Sequence, residues 1–337
     1  MELQPKHIRA PELCGSDWLN SGPILIREHS GHVVLLDFWD YTCISCIRAL
    51  DYVRDWHRKY REFGVVIVGV HTPEFRFARD VERLRHAVRA AKIGYPVVLD
   101  NDAVVWSAFA VHAWPTRCLI DRDGYLRFVQ HGEGGYIEFE RALQLLLGEA
   151  GYHGELPALT EPKREEDLPG AACYRPTGKL YLGYLRSAVG NAEGIAAEST
   201  IQYDDPGLYI PERVYLAGKW FNERECVRFD GDKGEQGNLM LLYEAKEVSA
   251  VLQSVPGEAC EVRVEQDGAP LVRGVAGKDV HPGAESIVLV DTPRLYRLVK
   301  NKEFGNHLLR LTTTSPRLKV FSFSFTTAAI PILSTSN

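Results

Sequence analysis

The sequence predicts two domains of different class: an α/β domain, then an all-β sandwich of jelly-roll type. Three observations carry this. The chain has 337 residues, enough for two domains of ordinary size. Up to about residue 150, short continuous apolar runs alternate with segments of period 3.6, and beyond residue 172 the period is 2. Between them lies a stretch with no period. The expected division is a first domain at 1–150, a linker at 151–172 and a second domain at 173–337.

Each element has its own signal. Val33-Val34-Leu35-Leu36-Asp37-Phe38-Trp39 is almost continuously apolar, as a central strand covered on both faces must be. Ala49, Val53, Trp56, Tyr60 and Phe63 follow at spacings of four and three, one face of a helix that Gly64 stops. A second buried strand runs over 65–70. Phe77, Val81, Leu84, Val88 and Ala91 predict another helix, closed by Gly94. Strands at 117–120 and 126–129 flank Asp121-Arg122-Asp123-Gly124, which has the composition of a hairpin turn. Phe139, Leu143 and Leu146 mark a last helix, and together these elements make a mixed sheet covered by helices. Residues 151–172 combine prolines with the charge cluster Lys163-Arg164-Glu165-Glu166-Asp167, the composition of a linker.

In the second half Val248, Ala250 and Leu252 alternate with Glu247, Ser249 and Val251. Val262 and Val264 alternate with Glu261, Arg263 and Glu265, and Phe321, Phe323 and Phe325 with Ser322 and Ser324. Short strands separated by Gly, Pro and Asp turns predict an antiparallel sandwich.

Composition narrows the function. Hydrophobic residues are 45% and charged residues 25%, as in ordinary globular proteins. The net charge of −6 excludes a chain-wide basic surface for nucleic acid. No apolar run approaches the roughly 18–20 residues that span a bilayer. The N-terminus has no apolar signal core, so a cytoplasmic protein is expected, or an extracytoplasmic one if an export signal has been removed. Seven scattered cysteines do not make a disulfide scaffold.

One cysteine pair stands out. Cys43 and Cys46 follow a buried strand and open a helix. At the helix N-terminus, free backbone N–H groups and the helix dipole favour a thiolate at Cys43. Two intervening residues put Cys46 one turn further on, within disulfide reach. Cys43 is then the attacking thiol and Cys46 the resolving one. A zinc site would want a second CxxC or two histidines, and neither is present nearby. No metal and no cofactor beyond the redox-active disulfide is expected.

Asp37-Phe38-Trp39 followed by this CxxC resembles the thioredoxin fold. The resemblance implies that Asp37, six residues before Cys43, is a buried carboxylate aiding proton transfer to the resolving cysteine. Val111-His112-Ala113-Trp114-Pro115-Thr116-Arg117 resembles the family's cis-proline loop. By that likeness Pro115 faces the cysteines and the Trp114 backbone pairs with a substrate strand. Trp39-Asp40-Tyr41-Thr42-Cys43-Ile44-Ser45-Cys46, His71-Thr72-Pro73-Glu74-Phe75 and His131-Gly132-Glu133-Gly134 are similar to the TlpA-like redoxin branch. The likeness is nearest to the soluble C-terminal region of DipZ-type thiol-disulfide interchange proteins. There a thioredoxin-like domain precedes a carbohydrate-binding-module-like sandwich, which Thr177–Tyr184, Leu216–Trp220 and the last phenylalanine-rich strand resemble. Three features depart from the pattern: the 337 residues hold no run able to form the membrane domain of DipZ-type proteins, Asp40 follows Trp39, and Ile44-Ser45 replaces thioredoxin's Gly-Pro.

The expected function is therefore thiol-disulfide exchange with a protein substrate, coupled to a separate electron donor or acceptor protein. Cys43 and Cys46 are catalytic, and Asp37, Trp39, Trp114 and Pro115 support them. The second domain is expected to bind substrate or partner. A carbohydrate stacked on Trp220, Phe221, Tyr181, Tyr184 and Tyr209 is the alternative. A binding module with an accessory redox domain is another reading, and a peroxiredoxin-like peroxidase a third. The last lacks its Pro-x-x-x-Thr-x-x-Cys motif, since Trp39 and Cys43 stand where Pro and Thr belong. His71 reads as a residue leading into a helix and Glu133 as an exposed loop acid. Cys14, Cys118, Cys173, Cys226 and Cys260 read as structural.

Overall fold

The computed structural model describes residues 3–15, 17–255 and 257–331. The chain divides into two units, Met1–Gly170 and Ala171–Asn337.

The first unit is a six-stranded mixed sheet flanked by helices. Its strands are β1 (Trp18–Leu19), β2 (Val34–Trp39), β3 (Val66–His71), β4 (Val97–Leu99), β5 (Thr116–Ile120) and β6 (Leu126–His131). Their spatial order is β1-β4-β3-β2-β5-β6. β2, β3 and β4 run parallel to one another, and β5 and β6 form the antiparallel hairpin. Four helices accompany them: α1 (Ile44–Tyr60), α2 (Val81–Ala90), α3 (Val104–Ala108) and α4 (Tyr136–Glu149).

β2 is buried along its whole length because both faces of the sheet are covered. Side chains alternate along a strand, so Leu35 and Trp39 join Trp56 of α1 and Phe139 of α4 in one cluster. Leu36 and Phe38 join Val105 and Phe109 in the other. Asp37 necessarily projects with Leu35 and Trp39. This places a carboxyl group under the helix that carries the cysteines.

The helices follow local chemistry. Ala49, Val53, Trp56 and Tyr60 are the buried stripe of α1, and Gly64 ends the following turn at φ +77°. α2 begins at Val81 and not at Phe77, because the Asp80 side chain accepts from the Glu82 and Arg83 amides. Phe77 falls in a separate 3₁₀ turn, Arg76–Arg79. The hairpin turn forms around Asp121, whose carboxylate accepts from the Asp123 and Tyr125 amides, with Gly124 at φ +83°.

Up to Gly170 the segment read as a linker belongs to the first unit. It is a strap held against α1 and α4. Thr160 donates to the buried Glu140 carboxylate through its amide at 2.7 Å and its hydroxyl at 3.1 Å. The Lys163 amide donates to the Tyr52 hydroxyl at 2.6 Å, and that hydroxyl donates to Asp167 at 2.7 Å. Arg164 pairs with Asp51 and Asp167. Charges that looked like a solvated cluster are spent on specific partners, and no periodicity marks such a segment.

The second unit is all β. Its strands are β7 (Leu180–Tyr181), β8 (Ser199–Tyr203), β9 (Tyr215–Asn222), β10 (Val227–Phe229), β11 (Gly237–Gln253), β12 (Cys260–Gln266), β13 (Ala269–Pro270), β14 (Val280–His281), β15 (Ile287–Val290), β16 (Arg294–Thr313) and β17 (Lys319–Thr326). All pair antiparallel in one sheet of order β14-β15-β12-β16-β11-β17-β10-β9-β8, with β13 paired to β12 and β7 to β17 off that path and the long β11–β16 pair at its centre. Register shifts after Ala245 and Val248 bend that long pair. Trp220, Phe229, Leu241, Val264, Leu311 and Phe323 lie in the single core.

Candidate redox site

β2 delivers the site. Past Trp39 the chain turns through Asp40, Tyr41 and Thr42, and Cys43 caps α1 with φ −101° and ψ 115°. The Cys46 amide donates to Cys43 Sγ at 3.2 Å, so a helix-terminal N–H is aimed at that sulfur. Cys43 is half-buried and Cys46 is buried, both as free thiols. Burial, followed by the neighbouring Cys43, pushes the Cys46 thiol well above its ordinary range. Two thiols three residues apart thus differ sharply in environment: one reaches the surface, and the other loses its proton only with help.

A buried carboxyl group whose charge reaches Cys46 is Asp37. It is 1% exposed, and neither carboxyl oxygen has a hydrogen-bond partner among the described residues. Burial raises its pKa to about 7, against a smaller opposing pull from Arg117. Its charge acts on Cys46.

A second acid shapes the loop. Asp40 is fully buried and accepts from the Thr42 amide at 2.9 Å, the Thr42 hydroxyl at 3.0 Å and the Glu74 amide at 2.6 Å. His71, at the end of β3, sets Nε2 3.6 Å from the Asp40 carboxylate, beyond ordinary hydrogen-bond distance. Burial works to raise the Asp40 pKa, but His71 and the amide donors outweigh it and hold the carboxyl below its usual range. The His71 ring is stacked on Tyr41 and set edge-on to Trp39. The expectation that His71 leads into a helix is therefore corrected: it is a fully buried strand end bracing the cysteine loop.

The remaining expected residues fall as follows. Trp39 is buried, its ring packed against His71. The Trp114–Pro115 peptide is cis. Trp114 is half-buried, packs tilted against Trp106 with ring centroids 4.3 Å apart, and donates from Nε1 to the Thr72 carbonyl at 3.1 Å. Phe38 faces Thr116 in the β2–β5 ladder. Continuing that register sets Pro115 beside Trp39, at the sheet end from which the cysteine loop departs. Glu133 is not a free loop acid, because its carboxylate pairs with Arg48, two residues past Cys46. Arg48 also binds Glu166 of the strap at 2.6 Å. Cys118 packs on the far face of the sheet, and its burial lifts its pKa to about 12.

Two residues carried no sequence signal. Arg117 looked like one polar residue in a short strand, yet it is wholly buried opposite Asp37. Tyr136 lies between them and the strap, stacked on Tyr52 at 3.7 Å. In the second unit the alternative of an open aromatic platform finds no support at three of its residues. Trp220 is in the core against Phe229, while Arg186 covers Tyr181 and Arg228 covers Phe221.

A strand-to-helix CxxC on a mixed sheet, with a cis-proline at the same sheet end and a carboxyl group beneath, defines a thioredoxin-like redox protein. Comparison with known proteins agrees. Residues 9–129 match the AhpC/TSA family, and residues 177–326 match the thioredoxin-like C-terminal domain. The chain therefore carries a region similar to the AhpC/TSA family followed by one similar to the thioredoxin-like C-terminal domain. It is 29% identical over 320 residues to Protein DipZ of Mycobacterium bovis, covering 94% of this chain and 42% of that protein. It is 28% identical over 141 residues to the thiol-disulfide oxidoreductase YkuV of Bacillus subtilis, covering 41% of this chain and 94% of the other. A thiol-disulfide isomerase structure from Corynebacterium glutamicum aligns with 41% of this chain and 96% of its own, at 24% identity and a TM-score of 0.38. The chain spans less than half the length of the DipZ relatives. No helix among the described residues is long and apolar enough to cross a membrane.

Proposed function

We propose that this chain is a protein thiol-disulfide oxidoreductase in which Cys43 attacks and Cys46 resolves. The observation that carries the reading is the unequal pair itself: a half-buried sulfur receiving a helix N-terminal N–H, with a buried thiol one turn behind it. In the reducing direction, the Cys43 thiolate attacks one sulfur of a substrate disulfide. A mixed disulfide forms and the other substrate sulfur leaves as a thiolate. Cys46 then gives up its proton and attacks Cys43 Sγ. The Cys43–Cys46 disulfide closes, the second substrate thiolate leaves, and the substrate has gained two electrons. A donor protein must return two electrons before the next turnover. Oxidation of a substrate dithiol is the same sequence reversed.

Asp37 is suited to hold the Cys46 proton, since near neutral pH it exists in both forms. An extended substrate segment would pair with the Trp114 backbone beside Pro115, where the Thr72 carbonyl steadies the indole. The second unit is assigned to binding the protein substrate or the partner. A peroxidase needs a reachable thiolate, and Cys46 is buried with its proton held tightly.

The test is reduction of insulin disulfides by the full chain with a dithiol donor. Cys43→Ser is expected to abolish it, and Cys46→Ser to accumulate a mixed disulfide through Cys43. Wild-type rates in both variants would remove the assignment.

A further inference from the structure

The wall behind Cys46 holds an ionisable group that the exchange chemistry above does not use. Arg117 is fully buried, and the β2–β5 register sets it directly opposite Asp37. Opposed residues of an antiparallel pair leave the sheet on the same face, with Cβ atoms about 4.5–5.5 Å apart. The guanidinium lies over the Tyr136 ring, 4.6 Å from its centroid. Nη2 donates to the Gly132 carbonyl at 3.1 Å and the Gly134 carbonyl at 2.8 Å. Nε and Nη1 have no hydrogen-bond partner among the described residues, and the Asp37 oxygens share that condition.

A buried carboxyl group without hydrogen-bond partners and a buried guanidinium with two of its nitrogens unpartnered, on one face, stabilise each other chiefly through their charges. The groups bearing on Asp37 come from every neighbouring element. α1 contributes Cys46, β5 contributes Arg117 and, from the far face, Cys118, and the turn before β4 contributes Tyr95. β3 contributes only Gly69, which has no side chain. Arg117 is the sole cation in that set. On its other side it feels Glu133, which is bound to Arg48.

We propose that Arg117 is a positioning residue of the redox site: its charge lets the buried Asp37 ionise and so accept the Cys46 proton. Its use in turnover rests on the oxidoreductase reading, whereas the charge coupling itself does not. Burial raises the Asp37 pKa and Arg117 opposes it, the balance standing at about 7. Without that cation, Asp37 stays protonated at neutral pH. Cys46 then has no acceptor until the solution is alkaline enough to replace it.

The experiment titrates the Asp37 carboxyl carbon by NMR in the reduced full-length chain, with Asp37→Asn identifying the resonance. Arg117→Met is expected to move the midpoint up by about one pH unit or more, while Arg117→Lys stays close to wild type. Disulfide reduction at pH 7 should fall about fivefold in Arg117→Met, because a midpoint one unit higher lowers the ionised fraction from about a half to about a tenth, and recover toward wild type near pH 9. An unchanged midpoint, or a loss of activity equal at every pH, overturns the proposal. An inactive wild type would instead remove the oxidoreductase reading and leave the midpoint to decide on Arg117. If Arg117→Met does not fold, it is made together with Asp37→Asn. Restored folding in that double variant supports the coupling, and equal collapse overturns it.

Discussion

Asp37→Asn should make the first unit's stability much less dependent on pH. Asp37 titrates near 7 in the native chain and near 3.8 when unfolded. Below both values each state holds the proton and the group has no effect on stability. Between them the unfolded chain has released its proton and the native chain has not, so stability falls as pH rises. Above pH 7 both states are ionised and the loss is complete. A gap of about three pH units at about 1.4 kcal/mol each amounts to about 4 kcal/mol. Asparagine does not titrate. Its unpaired buried amide costs about 1–3 kcal/mol, which offsets the curve without tilting it. The assay is urea unfolding of the reduced chain from pH 4.5 to 8.5, followed by the fluorescence of Trp39 and Trp56, both buried in the first unit. The wild-type-minus-variant difference should become less favourable by about 1.4 kcal/mol per unit up to pH 7 and then level off. A difference that stays constant across pH 5 to 8 would refute the raised pKa and the proton-transfer role resting on it.

Other perturbations test the surroundings. Asp40→Ala strips the acceptor from two amides and a hydroxyl in the cysteine loop, and should cost about 3–5 kcal/mol in urea unfolding and slow mixed-disulfide formation at Cys43. Glu140→Ala leaves Thr160, Tyr60 and Lys59 without their shared acceptor. It should destabilise the first unit by about 3 kcal/mol and speed amide exchange at Thr160. Iodoacetamide on the reduced native chain should label Cys14, Cys43 and Cys173, and reach the buried Cys46, Cys118 and Cys226 only after unfolding, as mass spectrometry will show. Trp220→Ala should cost about 3–5 kcal/mol in the second unit and leave Cys43 alkylation unchanged.

The elements that could be read from the sequence were those with long periods or compact motifs. β2 and α1 have unbroken patterns, and the CxxC between them could sit nowhere but at the strand-to-helix junction. β4 spans only Val97–Leu99 and α3 only Val104–Ala108, too short for a period to register. α2 was shortened by Asp80, a cap whose carboxylate mattered more than the apolar spacing that included Phe77. The polar wall of the site was hidden for another reason. Arg117 and Asp40 are charged residues, and single charges are expected at surfaces; only tertiary surroundings explain their burial, and only the pairing with Arg48 gives the half-buried Glu133 a role. The aromatic residues of the second domain left two readings open, because Trp220 in an alternating strand marks the core as readily as it marks a ligand platform, and it lies in the core.

The strap changes where a redox module of this kind can be cut. By helix period the first domain ends with α4 at Glu149. Yet Tyr52, Glu140 and Arg48 find their partners between residues 160 and 167. A fragment stopped at 150 would leave Arg48, two positions from the resolving cysteine, with one carboxylate instead of two, and the Tyr52 hydroxyl without Asp167. The seam at which this unit could be recombined with a different neighbour therefore falls after Gly170. Twenty residues that look like spacer would have to travel with the first unit.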